Sequence, residues 1–324
     1  MTDGDATVWV LLDDRAGNRS QALGVAEALA LPFSERELVY GPLARLPNSL
    51  LGATFGGLTG ESRGELQPPW PDLVIAAGRR TAPVARAIKL ASGGTTRLVQ
   101  IMDPGPGDFN LIMQPSHDRP IPGNNVLRLI GAPHRLTDAV LAEARETWAG
   151  RFDDLTTPRL ALIVGGSTRR RRFTADMARE LAAKASELAA GAGGSLLVTT
   201  SRRSGDVADI LIDGLTVPYS AYRWGDNGEN PYIGYLALAD AIIVTGDSVS
   251  MCSEACAAGC PTYIYAPAGL ITPKHARLHE TLYAAGYARP LGDRIHEWSH
   301  APLLPAIDVA EDIRRRGLLT EGTG

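Results

Sequence analysis

A chain of 324 residues has room for two domains of about 150 residues each, and 44% hydrophobic content gives both halves material for a core. Its net charge of −4 and pI near 5.9 exclude a general nucleic-acid binder, which carries a basic excess. No apolar run approaches the roughly 20 residues of a membrane span, and MTDGDATVWVLLDD lacks the basic start and long apolar stretch of a signal peptide. The expectation is a cytoplasmic protein, with a peripheral position on the inner membrane face left open.

In chain order, TVWVLL (7–12) reads as a short apolar strand, DDRAGNRS as a polar loop and QALGVAEALA as a helix. A second strand is placed near LVY (38–40). The segment PLARLPNSLLGATFGGL (42–58) is apolar, rich in Gly and Leu and interrupted by two prolines. It is too short to span a bilayer but could dip into a membrane surface or meet a lipid acceptor. Strands follow at 72–78, 96–102, 110–115 and 125–131, with a helix after the first of them and an amphipathic helix over 136–152.

LTTP (155–158) marks a boundary, after which the pattern restarts. RLALIVGG, SLLVTTS, DAIIV and TYIYAP are strands. FTADMARELAAKASELAAG, DVADILIDG, YIGYLALA and PKHARLHETLYAAG are helices, the first with Thr174 as N-cap. The division is an N-terminal domain over 1–153, a C-terminal domain over 154–305, and a last helix in 306–324 packing back on the N-terminal domain. Strands that alternate with helices and lack polar alternation belong to parallel sheets covered on both faces. The expected fold class is therefore α/β, two Rossmann-like domains with a cleft between them, and ligands in such sheets bind beyond the carboxyl ends of the strands.

Those strand ends carry Asp13 and Asp14 in the first half, then Gly78, Arg79 and Arg80. In the second half they carry Gly165, Gly166, Ser167 and four arginines, then Arg202 and Arg203, then Gly246 to Ser250. Small residues at a strand-to-helix turn let an anion approach unpaired N–H groups, and Ser248 and Ser250 add hydroxyl donors. Phosphate is the expected anion; helix capping alone is the competing reading for each turn. Glu254 lies about one helical turn past Ser250, and a carboxylate there suits two ribose hydroxyls. Arg202 and Arg203 suit a diphosphate leaving group or a solvated turn. Trp224 is read either as a base-stacking residue or as a buried anchor. Cys252, Cys256 and Cys260, three within nine residues, form no disulfide framework and read as small packing residues rather than a metal site.

The motifs LALIVGGST, ADAIIVTGDSVSMCSEACAAGCP and PKHARLHETLYAAG stand in the order found in the second domain of GT-B glycosyltransferases, and resemble most the pattern of the peptidoglycan N-acetylglucosaminyltransferase. That resemblance implies that Gly165, Gly166 and Ser167 lie at the donor diphosphate. It implies that Ser253 and Glu254 open the donor helix closed by Ala257, Ala258, Gly259 and Pro261, with Glu254 on the ribose, and that Lys274 and His275 face the sugar. Across the whole chain, DDRAGNRSQALGVAEAL, PDLVIAAGRRTAPVAR, LVQIMDPG, TTSRR and GENPYIGYLALADAIIVTGDSVSMCSE resemble the bacterial relatives of the plant mitochondrial-fission (elongated-mitochondria) proteins, a family often labelled a predicted nucleoside-diphosphate-sugar epimerase. The family implies the GT-B fold, with its parallel sheets facing across a cleft. The first loop departs from the transferase pattern: DDRAGNRSQ has no Gly-Gly-x-Gly-Gly-His run.

The resulting expectation is a protein that binds a nucleoside-diphosphate sugar, UDP being the carrier by family analogy. It would act as a metal-independent glycosyltransferase on a lipid or cell-envelope acceptor, with no tightly bound cofactor and with Asp13 or Asp14 as base. The alternatives are an epimerase, with Asp103, His117, His134 and His279 available, and a non-catalytic adaptor on membranes.

Overall fold

The computed structural model describes residues 6–319. The elements run β1 (Val8–Leu12), α1 (Ala16–Ala28), β2 (Phe33–Glu37), α2 (Asn48–Leu51), α3 (Gly60–Gly64), β3 (Leu73–Ala77), α4 (Ala82–Ala91), β4 (Arg97–Ile101), β5 (Leu111–Pro115) and β6 (Val126–Leu129). They continue as α5 (Asp138–Thr147), β7 (Arg159–Val164), α6 (Ala175–Gly191), β8 (Ser195–Thr200), α7 (Val207–Asp213), β9 (Tyr219–Tyr222), α8 (Tyr232–Leu238), β10 (Ala241–Thr245), α9 (Val249–Ala255), β11 (Thr262–Tyr265), α10 (Pro273–Ala284), β12 (Arg289–Pro290) and α11 (Pro305–Arg315).

Two compact units result, one running through Arg135 and resuming at Leu304, the other from Leu136 to Leu303. In the first, six parallel strands lie in the order β2-β1-β3-β4-β5-β6. Every side chain of VWVLL and LVIAA is buried, because successive residues point to opposite faces and both faces are covered. Val8, Val10 and Leu12 pack with Val25 of α1, with Leu29 just after it, and with Val309, Ala310 and Ile313 of α11. Trp9 and Leu11 pack on the other face with Val84, Ala85 and Ile88 of α4. The last helix thus completes the core begun by the first strand, and Arg314 fixes it by donating from Nη2 to the Leu29 carbonyl at 2.6 Å.

The second unit has six parallel strands in the order β12-β11-β10-β7-β8-β9. Leu160, Leu162 and Val164 of β7 pack with Leu181, Ala185 and Leu188 of α6. The unit begins before LTTP, because α5 packs on α8: Trp148 stacks on Phe152 at 6.0 Å, Phe152 meets the Tyr235 ring edge-on at 5.4 Å, and Arg145 donates to the Ala237 carbonyl at 3.1 Å. An amphipathic pattern says that a helix has a buried face and not which domain supplies the partner.

Local outcomes differ from the sequence reading, the first being that α1 starts at Ala16, inside the stretch DDRAGNRS read as a loop. The second strand is Phe33–Glu37, ending just before LVY; as an edge strand it has a single neighbour, so its sequence is largely polar. Tyr40 makes only an isolated antiparallel bridge with Leu58. The segment 42–58 folds into a 3-10 turn, Pro42–Arg45, and the short α2. Arg79 pins it by donating to the Leu46 carbonyl at 2.6 Å and the Ala44 carbonyl at 3.0 Å, while the Asn48 amide donates back to the Arg79 carbonyl at 2.8 Å.

Candidate functional site

In the second unit, β7 is flanked by β8 on one side and by β10 on the other, so the strand order reverses there. Side chains that follow β7, β8 and β10 converge at this switch point. The Gly165 N–H donates to Thr245 Oγ1 at 2.7 Å, and the Gly166 N–H donates to Asp247 Oδ2 at 2.9 Å. Arg203 Nη1 donates to the same Asp247 oxygen at 2.5 Å and to the Gly166 carbonyl at 3.1 Å. The Ser201 hydroxyl donates to the Gly165 carbonyl at 2.6 Å, and Ser204 shares that acceptor. The turn after β7 is therefore tied by side chains from β8 and β10 before any ligand arrives.

This explains the two glycines differently from the sequence argument. A Cβ on Gly165 would lie 2.4 Å from both Asp247 carboxylate oxygens, and one on Gly166, whose φ is +151°, would lie 2.2 Å from the Arg203 carbonyl. Their smallness is demanded by the protein's own carboxylate and backbone. Asp247, with a fully buried side chain, is the residue that sequence reasoning missed; its signal was an acidic residue inside the otherwise small TGDSVS run. Its second oxygen, Oδ1, is buried without a hydrogen-bond partner among the described residues.

The other expected residues fall into distinct roles. Ser167 Oγ accepts from the Phe173 N–H at 3.1 Å, closing its own turn, and Ser253 Oγ donates to the Val249 carbonyl at 2.8 Å inside the helix. Ser248 is the N-cap of α9 and accepts from the Met251 N–H at 3.4 Å, while Ser250 sits half-buried in the first turn. Arg202 is exposed, whereas Arg203 is fixed as described. The Trp224 ring is exposed, so it is no buried anchor; the Trp224 backbone N–H donates to Thr200 Oγ1 at 3.1 Å, which holds the residue near the end of β8. His275 Nδ1 accepts from the Thr272 N–H at 3.3 Å in the capping box that opens α10, and Lys274 lies beside it, half-buried. Burial pushes the His275 pKa down, against the pull of the Asp247 charge and with the Lys274 and Arg203 charges adding to it, so its ring is neutral at neutral pH. His279, one turn on, is buried and pushed down to about 4.

Glu254 is half-buried and accepts from the Tyr232 hydroxyl at 2.5 Å. Burial raises its pKa to about 7, and the Tyr232 hydrogen bond pulls the other way. Tyr232, the first residue of α8, went unrecognised in the sequence because its motif, GENPY, carries no chemistry until folding sets it against α9. Of the three cysteines, Cys252 Sγ faces the Thr245 carbonyl at 3.8 Å, Cys256 Sγ faces the Tyr287 carbonyl at 3.6 Å, and burial pushes the Cys260 thiol up to about 12. These are inert packing thiols.

In the first unit, the strand order reverses between β1 and β3, and Asp13, Asp14 and Arg80 meet there. Asp13 is buried; it accepts from Asn18 Nδ2 at 2.8 Å and from the Arg15 N–H at 3.0 Å. Asp14 is exposed and paired with Arg80, whose hydrogen bond holds its carboxyl below the usual range. The Arg80 guanidinium lies over the Tyr40 ring at 4.4 Å, and burial pushes the Tyr40 phenol well up, with the Asp13 charge adding to it. Arg80 and Tyr40 complete a cluster of which the sequence flagged only the carboxylates as candidate catalytic groups.

Among solved structures, the UDP-GlcNAc 2-epimerase of Methanocaldococcus jannaschii matches with a TM-score of 0.53 at 13% identity, over 98% of this chain and 94% of that one. The Neisseria meningitidis UDP-GlcNAc 2-epimerase bound to UDP-GlcNAc matches at 0.51 and 13% identity, over 95% and 91%. The glycosyltransferase SnogD of Streptomyces nogalater matches at 0.50 and 14%, over 98% and 96%. At these identities the likeness is one of fold, and the fold class is GT-B-like, with two Rossmann-like units. Among the described residues no helix is long and apolar enough to cross a membrane. In sequence, an uncharacterised protein of Rickettsia prowazekii (strain Madrid E) is 31% identical over 346 aligned positions, covering 95% of this chain and 97% of that protein. The mitochondrial fission protein ELM1 of Arabidopsis thaliana is 28% identical over 294, covering 82% and 69%. The model of the mitochondrial fission ELM1 family matches residues 16–317, and the chain belongs to that family.

Proposed function

We propose that the second unit binds a nucleoside-diphosphate sugar and that the protein is a glycosyltransferase that needs no metal for its leaving group. One observation carries the reading: Arg203 and the Gly165–Gly166 turn are tied together at the switch point of the second sheet, and α9, the helix that follows β10 there, carries a half-buried Glu254. Arg203 uses Nη1 for Asp247 and Gly166, which leaves the rest of its planar fork to grip a phosphate. A cation held in place before the reaction stabilises the diphosphate as it leaves. Ionised Glu254 accepts from ribose hydroxyls, Trp224 offers an exposed ring to the base, and Lys274 and a neutral His275 serve the sugar. Ser250 and Ser248 add hydroxyl donors, and Arg202 adds long-range charge. The UDP-GlcNAc in the Neisseria meningitidis epimerase makes uridine the first carrier to try. Epimerisation of such a sugar nucleotide shares this donor half.

The acceptor base is assigned to the Asp13–Asp14 pair. Asp13 is committed to Asn18 and Arg15 and acts as scaffold. Asp14 is a weak base while Arg80 holds it. An anionic acceptor that draws Arg80 onto itself returns Asp14 toward the ordinary carboxylate range.

Titration calorimetry with UDP, GDP, CDP and their sugars, on wild type and Glu254→Ala, tests the reading. The expected result is micromolar binding of one diphosphate, weakened at least about tenfold by the substitution, equivalent to about 1.4 kcal/mol. Absence of binding by every nucleotide would reject it.

A membrane-peripheral role is the second reading, favoured by Leu43 at 54%, Leu46 at 41% and Leu50 at 74% exposure in the segment pinned by Arg79. Such a cluster inserts into a membrane surface without spanning it. Leu43→Ser/Leu50→Ser is expected to lower co-sedimentation with anionic liposomes severalfold; equal sedimentation would remove these leucines from any membrane contact.

A further inference from the structure

The first unit holds a cavity of ≈ 450 Å³ at the amino-terminal ends of β1 and β2, at the other end of the sheet from Asp13 and Arg80. It lies within the volume range of small-molecule sites. Its walls are flat and apolar: Trp9, Trp70, Phe33 and the prolines Pro32, Pro68 and Pro69. Trp9 and Trp70 meet edge to face at 5.9 Å, and Phe55 stacks behind Trp70 at 6.4 Å, which fixes both indoles. Among the described residues Arg36 is the one charged residue lining the cavity. Its guanidinium lies over the Trp9 ring, 4.3 Å from the centroid, and its Nε is buried without a hydrogen-bond partner among the described residues.

The chemistry of this combination is specific. A guanidinium stacked on an indole presents a second planar face and an in-plane fork of N–H donors. The fork matches one carboxylate in a two-point bond, and the face and the tryptophans match a planar ring. Among the described lining residues a single cation stands without an acidic residue, a combination that selects one negative charge.

We propose that this cavity is a binding site for a small aromatic carboxylate, held by Arg36 at the carboxyl group and by Trp9 and Trp70 at the ring. It is independent of the nucleotide-sugar reading, because it shares no residue with the cluster at the opposite strand ends or with the second unit.

The chain has five tryptophans, each with one indole N–H signal in a nitrogen–proton correlation spectrum. Trp9 and Trp70 belong to the cavity; Trp148, Trp224 and Trp298 do not. Phenylacetate is the probe, with benzyl alcohol as its uncharged counterpart and acetate as the charge without the ring. Phenylacetate is expected to shift the Trp9 and Trp70 signals saturably, with half-saturation below about 1 mM, while the other three stay in place. Benzyl alcohol is expected to bind at least tenfold more weakly, and acetate not to saturate. Arg36→Gln, whose other indole signals report that it is folded, is expected to bind phenylacetate no better than benzyl alcohol. Equal affinity of wild type for phenylacetate and benzyl alcohol overturns the proposal without recourse to any variant. So does the absence of a saturable shift at Trp9 and Trp70, or a folded Arg36→Gln that keeps its preference for the acid.

Discussion

Glu254→Gln is expected to make the protein more stable than wild type at pH 8, by about 1–3 kcal/mol, and to leave it unchanged near pH 4.5. In the fold, burial holds the Glu254 proton to about pH 7, against an ordinary value of 4.5. Below 4.5 the carboxyl is protonated in both folded and unfolded chains and contributes no difference. Between 4.5 and 7 the unfolded chain releases the proton and the folded chain does not, so stability falls as the pH rises. Above 7 the full cost of a half-buried carboxylate is present. Glutamine is neutral throughout and still offers an oxygen to the Tyr232 hydroxyl. Urea midpoints of both proteins at pH 5 and pH 8 test this; a difference independent of pH would show that Glu254 ionises normally in the fold. The same linkage gives ligand binding a sign. Ribose hydroxyls donating to Glu254 favour its ionised form, so nucleotide affinity should rise from pH 6 to pH 8 with release of protons to the buffer.

Asp247→Ala is expected to cost about 2–4 kcal/mol, the largest loss of stability from a single truncation in the second unit's site. The substitution leaves the buried Gly166 N–H without an acceptor and frees Arg203 from its fixed position. The Arg203 side chain is 34% exposed and can turn to water, which places the loss below that of a fully buried broken pair. Asp247→Asn, which keeps an acceptor oxygen for Gly166 and loses the charge, should cost about half as much. Denaturant unfolding of the three proteins decides it: an alanine variant within about 0.5 kcal/mol of wild type would mean that the turn holds without Asp247. Since Arg203 is the proposed diphosphate contact, both variants should also lose nucleotide affinity.

The repeated passage from apolar run to Gly-containing turn to amphipathic helix determined the two parallel sheets, since a strand buried on both faces has to be apolar at every position. It also placed the candidate residues after the strands, where Asp13, Gly165, Arg203 and the start of α9 lie. Sequence left Trp224 open between a stacking residue and a core anchor, because an aromatic in a loop satisfies either; its exposure in the fold excludes the anchor. Which helix belongs to which unit was decided by tertiary contacts, as Phe152 of the segment after α5, stacked on Trp148, packs on Tyr235. The same is true of the ties across strands. Asp247 meets Gly166 and Arg203, Tyr232 meets Glu254, and Arg80 meets Asp14, with partners 81, 44, 22 and 66 residues away along the chain. Local pattern specifies helix, strand and turn because those rest on neighbouring residues. The charge state of Glu254 and the reason for Gly165 and Gly166 depend on what the fold brings against them, and only the tertiary structure sets that.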